Sequence, residues 1–314
     1  MRHVLIAGGA GFIGSHLTDR LLARGCSVTV VDDLSTGSLA NLQGVLDHPR
    51  FTYRNADVCD PGALQGIDLD VIFALASPAS PVAYQSRPLA TLAAGSAGTR
   101  TCLAAATDQG ARMVLASTSE VYGDPLCHPQ PESYWGNVNP IGERSMYDEA
   151  KRFAEALATA YRREHATNVG IVRIFNTYGP RMDPADGRAF PAFISAALRG
   201  EPLTVHGDGM QTRSLCYVDD LVAGLERMAD SDHPGPINLG NPDERTILEL
   251  AHAVIAACQS SSPVVFTERP PDDPSQRCPD ITRAREVLGW EPRVPLAEGM
   301  LAMVAAYRAE VAQA

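Results

Sequence analysis

Short, unbroken runs of apolar residues alternate with amphipathic stretches through the first half of the chain. His3–Ala7 and residues 27–31 (SVTVV), 71–75 (VIFAL), 112–116 (RMVLA) and 170–174 (GIVRI) are too short for helices and show no in–out alternation. Continuous apolarity marks strands buried on both faces, and helical stretches between such strands make parallel crossovers. The pattern predicts an α/β fold, a doubly wound parallel sheet, with one helix running to Leu22 and another over 147–163. After about Asn176, loops rich in Pro, Gly and Asp (179–187, 207–209, 269–274) break up shorter elements and predict a smaller lobe laid over the sheet. The expected division is a sheet domain over 1–175 with a returning segment at about 211–238, and a second lobe from 176–210 and 239–314. Neither an internal repeat nor a low-complexity tract is visible, which argues against a solenoid.

Composition narrows the function classes. A chain of 314 residues, 45% hydrophobic, is long enough for one large core or two that share a cleft. Its net charge of −11 argues against nucleic acid or an anionic membrane surface as partner, since both require a basic face. An anionic small ligand would need arginines placed locally. No apolar run reaches the roughly 18 residues of a membrane span. The first residues read straight into a strand and a glycine turn, so the expectation is a cytoplasmic protein with neither signal peptide nor membrane partner. Seven scattered cysteines without a CxxC pair fit reduced thiols better than a disulfide frame or a zinc site, and no metal is expected.

Gly8, Gly11 and Gly14 form a GxxGxxG turn between the first strand and the first helix. Glycine there permits a tight turn, lets backbone N–H groups reach a pyrophosphate, and allows close helix–strand packing. Turns collect glycine anyway, so the context carries the weight: a strand before, a helix after, and Asp32 closing the second strand. A carboxylate at that point accepts hydrogen bonds from a ribose diol and repels a 2′-phosphate, which favours NAD over NADP as cofactor. The expected cofactor wall is Gly8, Gly11, Phe12, Ile13, Gly14 and Asp32, with Leu75 and Ala76 at the end of the third apolar run and Asp57 and Val58 near the adenine. The plainer readings are a solvated strand-end carboxylate for Asp32 and an ordinary loop carboxylate for Asp57.

Tyr147 and Lys151 stand four residues apart, on one face of one helix. An ammonium beside a phenol favours the phenolate, so the pair is expected to supply a base near neutral pH, removing a hydroxyl proton as hydride leaves the same carbon. A surface Tyr–Lys pair has the same spacing. What tells against it is the segment after the 112–116 run, where Ser117, Thr118, Ser119 and Glu120 project beyond the carboxyl end of a strand, the place where open parallel sheets bind ligands. Glycine turn, Ser/Thr segment and YxxxK helix in this order resemble the extended short-chain dehydrogenase/reductases.

Longer segments are similar to one family in that group, the UDP-glucuronate decarboxylases, also called UDP-xylose synthases. They are 75–81 (LASPASP), 117–125 (STSEVYGDP), 134–141 (YWGNVNPI), 173–182 (RIFNTYGPRM), 207–218 (GDGMQTRSLCYV), 238–250 (NLGNPDERTILEL) and 272–281 (DDPSQRCPDI). The resemblance implies oxidation of C4 of a UDP-linked glucuronate by tightly bound NAD, which leaves the carboxylate β to a ketone. Carbon dioxide then departs with its electrons held as an enolate, C5 is protonated, and the hydride returns to C4. The resemblance also assigns roles: Thr118 assists the C4 hydroxyl, Ser119 and Glu120 position the sugar acid, and Arg277 is a proton source or charge partner. Glu120 is expected to repel the substrate carboxylate and so to favour its loss.

The second lobe supplies Arg181, Arg188, Arg213, Arg269 and Arg277, and guanidinium forks suit a diphosphate. Arg213 and Arg269, the latter just before Asp272, match family positions that hold diphosphate and uridine ribose; Asn176 matches one at the phosphates, and Arg188 and Tyr217 complete the expected substrate set. For any single arginine the alternative is a surface ion pair. The chain departs from the family at Ala74, where histidine is usual, and at Gly95 and Ala192, where asparagine is usual, which bears on the nicotinamide side and on base or sugar preference. The family also implies a homodimer through the Tyr–Lys helix, whose Phe153, Ala154, Leu157 and Ala158 are available for that or for packing on the sheet. Three alternatives stand: a nucleotide-sugar 4-epimerase, which needs only Tyr147, Lys151 and Thr118; a 4,6-dehydratase, which resembles Thr-Asp-Glu where this chain has Thr118, Ser119 and Glu120; and a non-catalytic NAD-dependent sensor or scaffold.

Overall fold

A computed structural model describes residues 1–269 and 275–311. In chain order the first half reads β1 (His3–Ala7), α1 (Phe12–Ala23), β2 (Ser27–Asp32), β3 (Phe51–Asn55), β4 (Val71–Ala74), α2 (Pro81–Ser86), α3 (Pro88–Ala93), α4 (Thr99–Gln109), β5 (Arg112–Thr118), α5 (Ser145–His165) and β6 (Val169–Ile174). The second half reads β7 (Thr177–Tyr178), α6 (Ala189–Arg199), β8 (Leu203–His206), β9 (Thr212–Ser214), β10 (Cys216–Tyr217), α7 (Val218–Ala229), β11 (Ile237–Leu239), β12 (Glu244–Thr246), α8 (Ile247–Cys258), β13 (Val264–Thr267), α9 (Thr282–Leu288) and α10 (Leu296–Val311).

Seven strands form one sheet in the order β11-β6-β5-β4-β1-β2-β3, with every neighbouring pair parallel. Successive side chains of each strand point to opposite faces, and both faces are covered. Val4, Ile6, Val28 and Val30 pack with Leu17 and Leu21 of α1 and Leu221 and Leu225 of α7. Leu5, Ile72, Met113 and Ile171 pack on the other face with Leu103 of α4 and Ala154 and Ala158 of α5. That two-sided cover is why these strands read as unbroken apolar runs.

A separate core holds α6, α8 and α10 against β8, through Phe193, Leu203, Leu250, Val254 and Met303. The start of α8 is fixed by a capping box, in which Thr246 and Glu249 satisfy each other's backbone N–H groups. On α5 the buried positions Tyr147, Ala150, Lys151, Ala154 and Ala158 form one stripe at helical spacing, so the face that packs on the sheet also carries the Tyr–Lys pair toward the strand ends. Among the described residues, no helix is long and apolar enough to cross a membrane.

Candidate active site

The strand order reverses between β1 and β4, and ligands of open α/β sheets bind in the crevice at such a reversal. A cleft of about 1400 Å³ opens there and continues under α6 and β9. One small-molecule site takes roughly 300–1,000 Å³. The cleft therefore has room for two ligands end to end.

The crevice floor is built by backbone rather than side chains. Gly8 follows β1 with φ +85°, and a Cβ on it would lie 2.7 Å from the Ala76 nitrogen after β4. A Cβ on Gly14 would lie 2.3 Å from the Gly8 oxygen. Both glycines are thus demanded by the fold. Gly11 differs: at φ −76° its Cβ would meet only the Gly8 oxygen, at 3.4 Å, so a side chain there would take up cleft space. Gly11, Phe12, Ile13 and Gly14 open α1 on the cleft wall with no side-chain cap, leaving first-turn N–H groups and the positive end of the helix facing the cleft. This donor set fits a dinucleotide pyrophosphate. Asp32 closes β2 on the same wall, its two carboxylate oxygens accepting the N–H groups of Ala10 and Leu34, each at 2.9 Å. Burial raises the Asp32 carboxyl above its ordinary value, and those two bonds pull the other way. Asp57, Val58, Leu75 and Ala76 line the cleft as well.

At the end of β5 the strand runs two residues further than the apolar run, through Thr118. Strand alternation then separates the hydroxyls: Ser117 donates to Glu155 at 2.6 Å, while the Thr118 hydroxyl lies against the Tyr147 phenol and lowers its pKa. Tyr147 and Lys151 are buried, line the cleft, and sit with Nζ 5.8 Å from the phenol ring centre. Lys151 Nζ donates to the Ala116 carbonyl at 2.9 Å. Burial opposes the phenolate expected near neutral pH. Burial pushes Tyr147 up to about 12 despite Thr118, and pushes Lys151 down to about 8. Desolvation is the first cause of both shifts, and the Lys151 ammonium is turned onto a backbone carbonyl rather than onto the phenol oxygen.

Glu120 is not the isolated repulsive charge the sequence suggests. It accepts from Arg144 at 2.8 Å and from Arg277, while Arg277 also donates to the Gly123 carbonyl at 3.1 Å. Burial would raise the Glu120 carboxyl, but the two guanidiniums overcome it and hold it well below its ordinary value. Two arginines around Glu120 leave a positive surplus beside the cleft, only partly offset by the neighbouring Asp148 carboxyl, which burial and Glu120 push up to about 7, and that is the opposite of a repulsive wall for an acid. Ser119 is 2% exposed and does not line the cleft. The turn after β5 is a short 3-10 helix, and one residue of its rotation brings Glu120 rather than Ser119 to the cleft.

Of the expected substrate residues, Asn176, Arg188, Arg213 and Arg277 line the cleft. Arg188 spans it, pairing with Asp186 at 3.0 Å and donating to the Ala79 carbonyl at 3.1 Å. Arg181 also lines it but is engaged by Asp19 at 2.6 Å. Tyr217 turns away, packing edge-on against Tyr178 at 5.6 Å and close to Gly299 of α10. Arg269 is exposed, donates to Ser275 at 3.3 Å, and does not line the cleft. Asp272 lies outside the described residues.

Neither Ala74 nor Gly95 reaches the cleft, while Ala192 is exposed on its wall. Gly95 lets a π turn at Ala94–Gly98 approach α5, since a Cβ there would lie 2.7 Å from Ala150. Sequence reasoning also missed two residues. Arg144 precedes Tyr147 by three positions, and that spacing was a usable signal. Tyr84 stacks on Tyr147 with ring centres 5.1 Å apart and an angle of 9°, and only tertiary packing reveals it.

The chain belongs to the NAD dependent epimerase/dehydratase family, which it matches over residues 4–240. It is 54% identical over 306 residues to UDP-glucuronic acid decarboxylase 5 of Arabidopsis thaliana, spanning 97% of this chain and 89% of that one. It is 50% identical over 299 residues to UDP-glucuronic acid decarboxylase 1 of Danio rerio, spanning 95% and 71%. The crystal structure of a UDP-glucuronic acid 4-epimerase from Bacillus cereus, in complex with UDP-glucuronic acid and NAD, superimposes with a TM-score of 0.87 at 28% identity, covering 98% of this chain and 99% of that one.

Proposed function

We infer that the protein is an NAD-dependent carboxy-lyase that converts UDP-glucuronate to UDP-xylose through a UDP-4-keto-hexuronate. The observation that carries this reading is the cluster Glu120–Arg144–Arg277, a buried site with surplus positive charge in the same cleft as Tyr147, Lys151 and Thr118. That charge selects an acidic sugar over a neutral one, and a 4-epimerase acting on UDP-glucuronate would use it equally, so the choice of decarboxylation over epimerisation rests on the relatives. Relatives named UDP-glucuronic acid decarboxylases, at 50–54% identity over nearly the whole chain, support the same substrate.

Gly8, Gly11, Phe12, Ile13, Gly14 and Asp32 hold the dinucleotide in this account, with Asp57, Val58, Leu75 and Ala76 around it. Bound NAD supplies the acceptor for the C4 hydrogen and its electron pair, which it later returns, and in its oxidised form a cationic ring whose charge favours the Tyr147 phenolate. Tyr147 takes the C4 hydroxyl proton, with Thr118 hydrogen-bonded to the same oxygen and Lys151 contributing charge from its anchor on Ala116. Arg144 and Arg277 face the sugar carboxylate. When the C5–C6 bond breaks, its electrons pass onto C5, C4 and O4, and the proton on Tyr147 stabilises the enolate oxygen. Arg277 acts here as a charge partner, held by Glu120 and the Gly123 carbonyl. Asn176, Arg188 and Arg213 hold the UDP moiety, the first two from the second lobe and Arg213 from the returning segment at about 211–238.

Leu89 and Leu92 of α3 and Phe153 of α5 are exposed on helices that touch each other, an apolar face that supports a homodimer. Sedimentation at micromolar concentration tests it. Seven unpaired cysteines support a reducing compartment such as the cytoplasm. The activity is tested by incubating the protein with UDP-glucuronate and NAD. Carbon dioxide and UDP-xylose in equal amounts are expected; UDP-galacturonate would instead make it an epimerase, and retained NAD without turnover a sensor.

A further inference from the structure

Outside the cleft, three side chains from distant parts of the chain converge. His128, Glu244 and Cys278 bring a ring nitrogen, a carboxylate oxygen and a sulfur within 4.8 Å of one another. The shortest approach is 3.0 Å, from His128 Nε2 to Glu244 Oε2. Glu244 is steadied by the Thr212 hydroxyl, and the Cys278 backbone by Gln130 Oε1 at 2.9 Å. The Cys278 thiol is buried, 3.6 Å from the Pro242 carbonyl and beside the Ser214 hydroxyl. Ser214 stands opposite Glu244 across the β9–β12 ribbon and beside that thiol. Its hydroxyl is 1% exposed and has no hydrogen bond of normal geometry among the described residues.

We propose that His128, Glu244 and Cys278 form a binding site for a borderline divalent cation of the zinc class, with Ser214 or water at the fourth position. Tetrahedral zinc, with bonds of about 2.0–2.3 Å, places its ligand atoms roughly 3.3–3.8 Å apart. Closing separations of up to 4.8 Å by about 1 Å and opening the 3.0 Å His128–Glu244 pair by about 0.3 Å gives that geometry, and the part-exposed His128 side chain has the freedom to move. Imidazole, carboxylate and thiolate together select zinc over magnesium or calcium, which take oxygen ligands. Binding replaces the Cys278 S–H bond by a metal–sulfur bond and releases one proton to water. The resulting thiolate and the carboxylate balance the charge of the cation. The ligands come from positions 128, 244 and 278, a spacing no metal motif reveals. Occupancy has a place to act, because Cys278 adjoins Arg277 and Glu244 pairs with the ribbon strand that carries Arg213. A bound cation ties both cleft arginines' segments to the loop that holds His128.

The test is a titration of the full, metal-free chain with Co2+, which does not depend on turnover. One equivalent is expected to give the visible bands of tetrahedral cobalt and a near-ultraviolet thiolate-to-cobalt band, with one proton released and displacement by Zn2+. Cys278→Ser should abolish the thiolate band, and His128→Gln and Glu244→Gln should each weaken binding by about 10-fold or more. Thermal melts of the metal-free variants report folding, and Cys278→Ala is read in place of Cys278→Ser if the latter melts early. A thiolate band that survives loss of Cys278, unchanged affinity in His128→Gln, or no tetrahedral spectrum in the parent chain overturns the proposal.

Discussion

Glu120→Gln keeps the shape of the side chain and removes the negative charge held between two guanidiniums. The Arg277 and Glu120 side chains are 4% and 14% exposed, and that of Arg144 is 18% exposed, so water does little to replace the missing charge. Removing one partner of a buried ion pair costs about 3–5 kcal/mol. Two features pull the value to the low end. The amide oxygen still accepts a hydrogen bond, and Asp148, pushed up to about 7 by burial and then by Glu120, ionises more readily once that neighbour is neutral. At about 2.1 cal/mol/K per residue the unfolding entropy of 314 residues is about 0.66 kcal/mol/K, so a loss of about 3 kcal/mol lowers the melting temperature by about 4–5 °C.

The dependence on pH has a definite sign. The folded-state pKa of Glu120 lies below its ordinary 4.5, so its stabilisation is complete above that value and is lost as pH falls toward the folded pKa. Melting curves of the parent chain and Glu120→Gln should therefore be furthest apart at neutral pH and converge below about pH 4.5. A variant that melts within about 1 °C of the parent at pH 7, or a gap that widens on acidification, would refute the charge argument.

Tyr147→Phe retains the stack on Tyr84 and should fold normally, bind UDP-glucuronate by calorimetry, and lose about 10²–10⁴-fold in turnover. Asp32→Ala should let NADP bind measurably and should cost about 1–3 kcal/mol of stability for each backbone N–H left without its acceptor, both readable by calorimetry. Gly14→Ala forces a Cβ to 2.3 Å from the Gly8 oxygen and should destabilise the chain by about 1–3 kcal/mol while weakening cofactor binding, measured by denaturation and NAD titration. With Tyr147 at about 12, the phenolate absorbance of the cofactor-free chain minus that of Tyr147→Phe should stay flat up to about pH 10.

How much of this was legible depended on whether a local rule applied. The buried strands β1, β2, β4, β5 and β6 announce themselves as apolar runs, whereas the edge strand β3 (FTYRN) is half polar and β11 is three residues long. Tyr147 and Lys151 follow from helical spacing, and Thr118 from its position at a strand end. Ser119 and Tyr217 lie off the cleft wall, because which way a side chain turns after a strand end, or against a neighbouring ring, is decided by packing. Arg144 at the N-terminus of α5 opposes the helix dipole, an unfavourable place for a cation, and Glu120 from another element is what explains it. No single-sequence rule couples positions 120, 144 and 277.

The central claim is that one cleft oxidises C4, expels the carboxylate and reduces C4 again without outside reductant. UDP-glucuronate carrying deuterium at C4, given to the protein with a catalytic trace of NAD, tests this directly. UDP-xylose that keeps the label at C4, formed over many turnovers with an equal amount of carbon dioxide, is the expected result. A product that has lost the label, that retains its carboxylate, or that forms only in proportion to the NAD added would contradict the account.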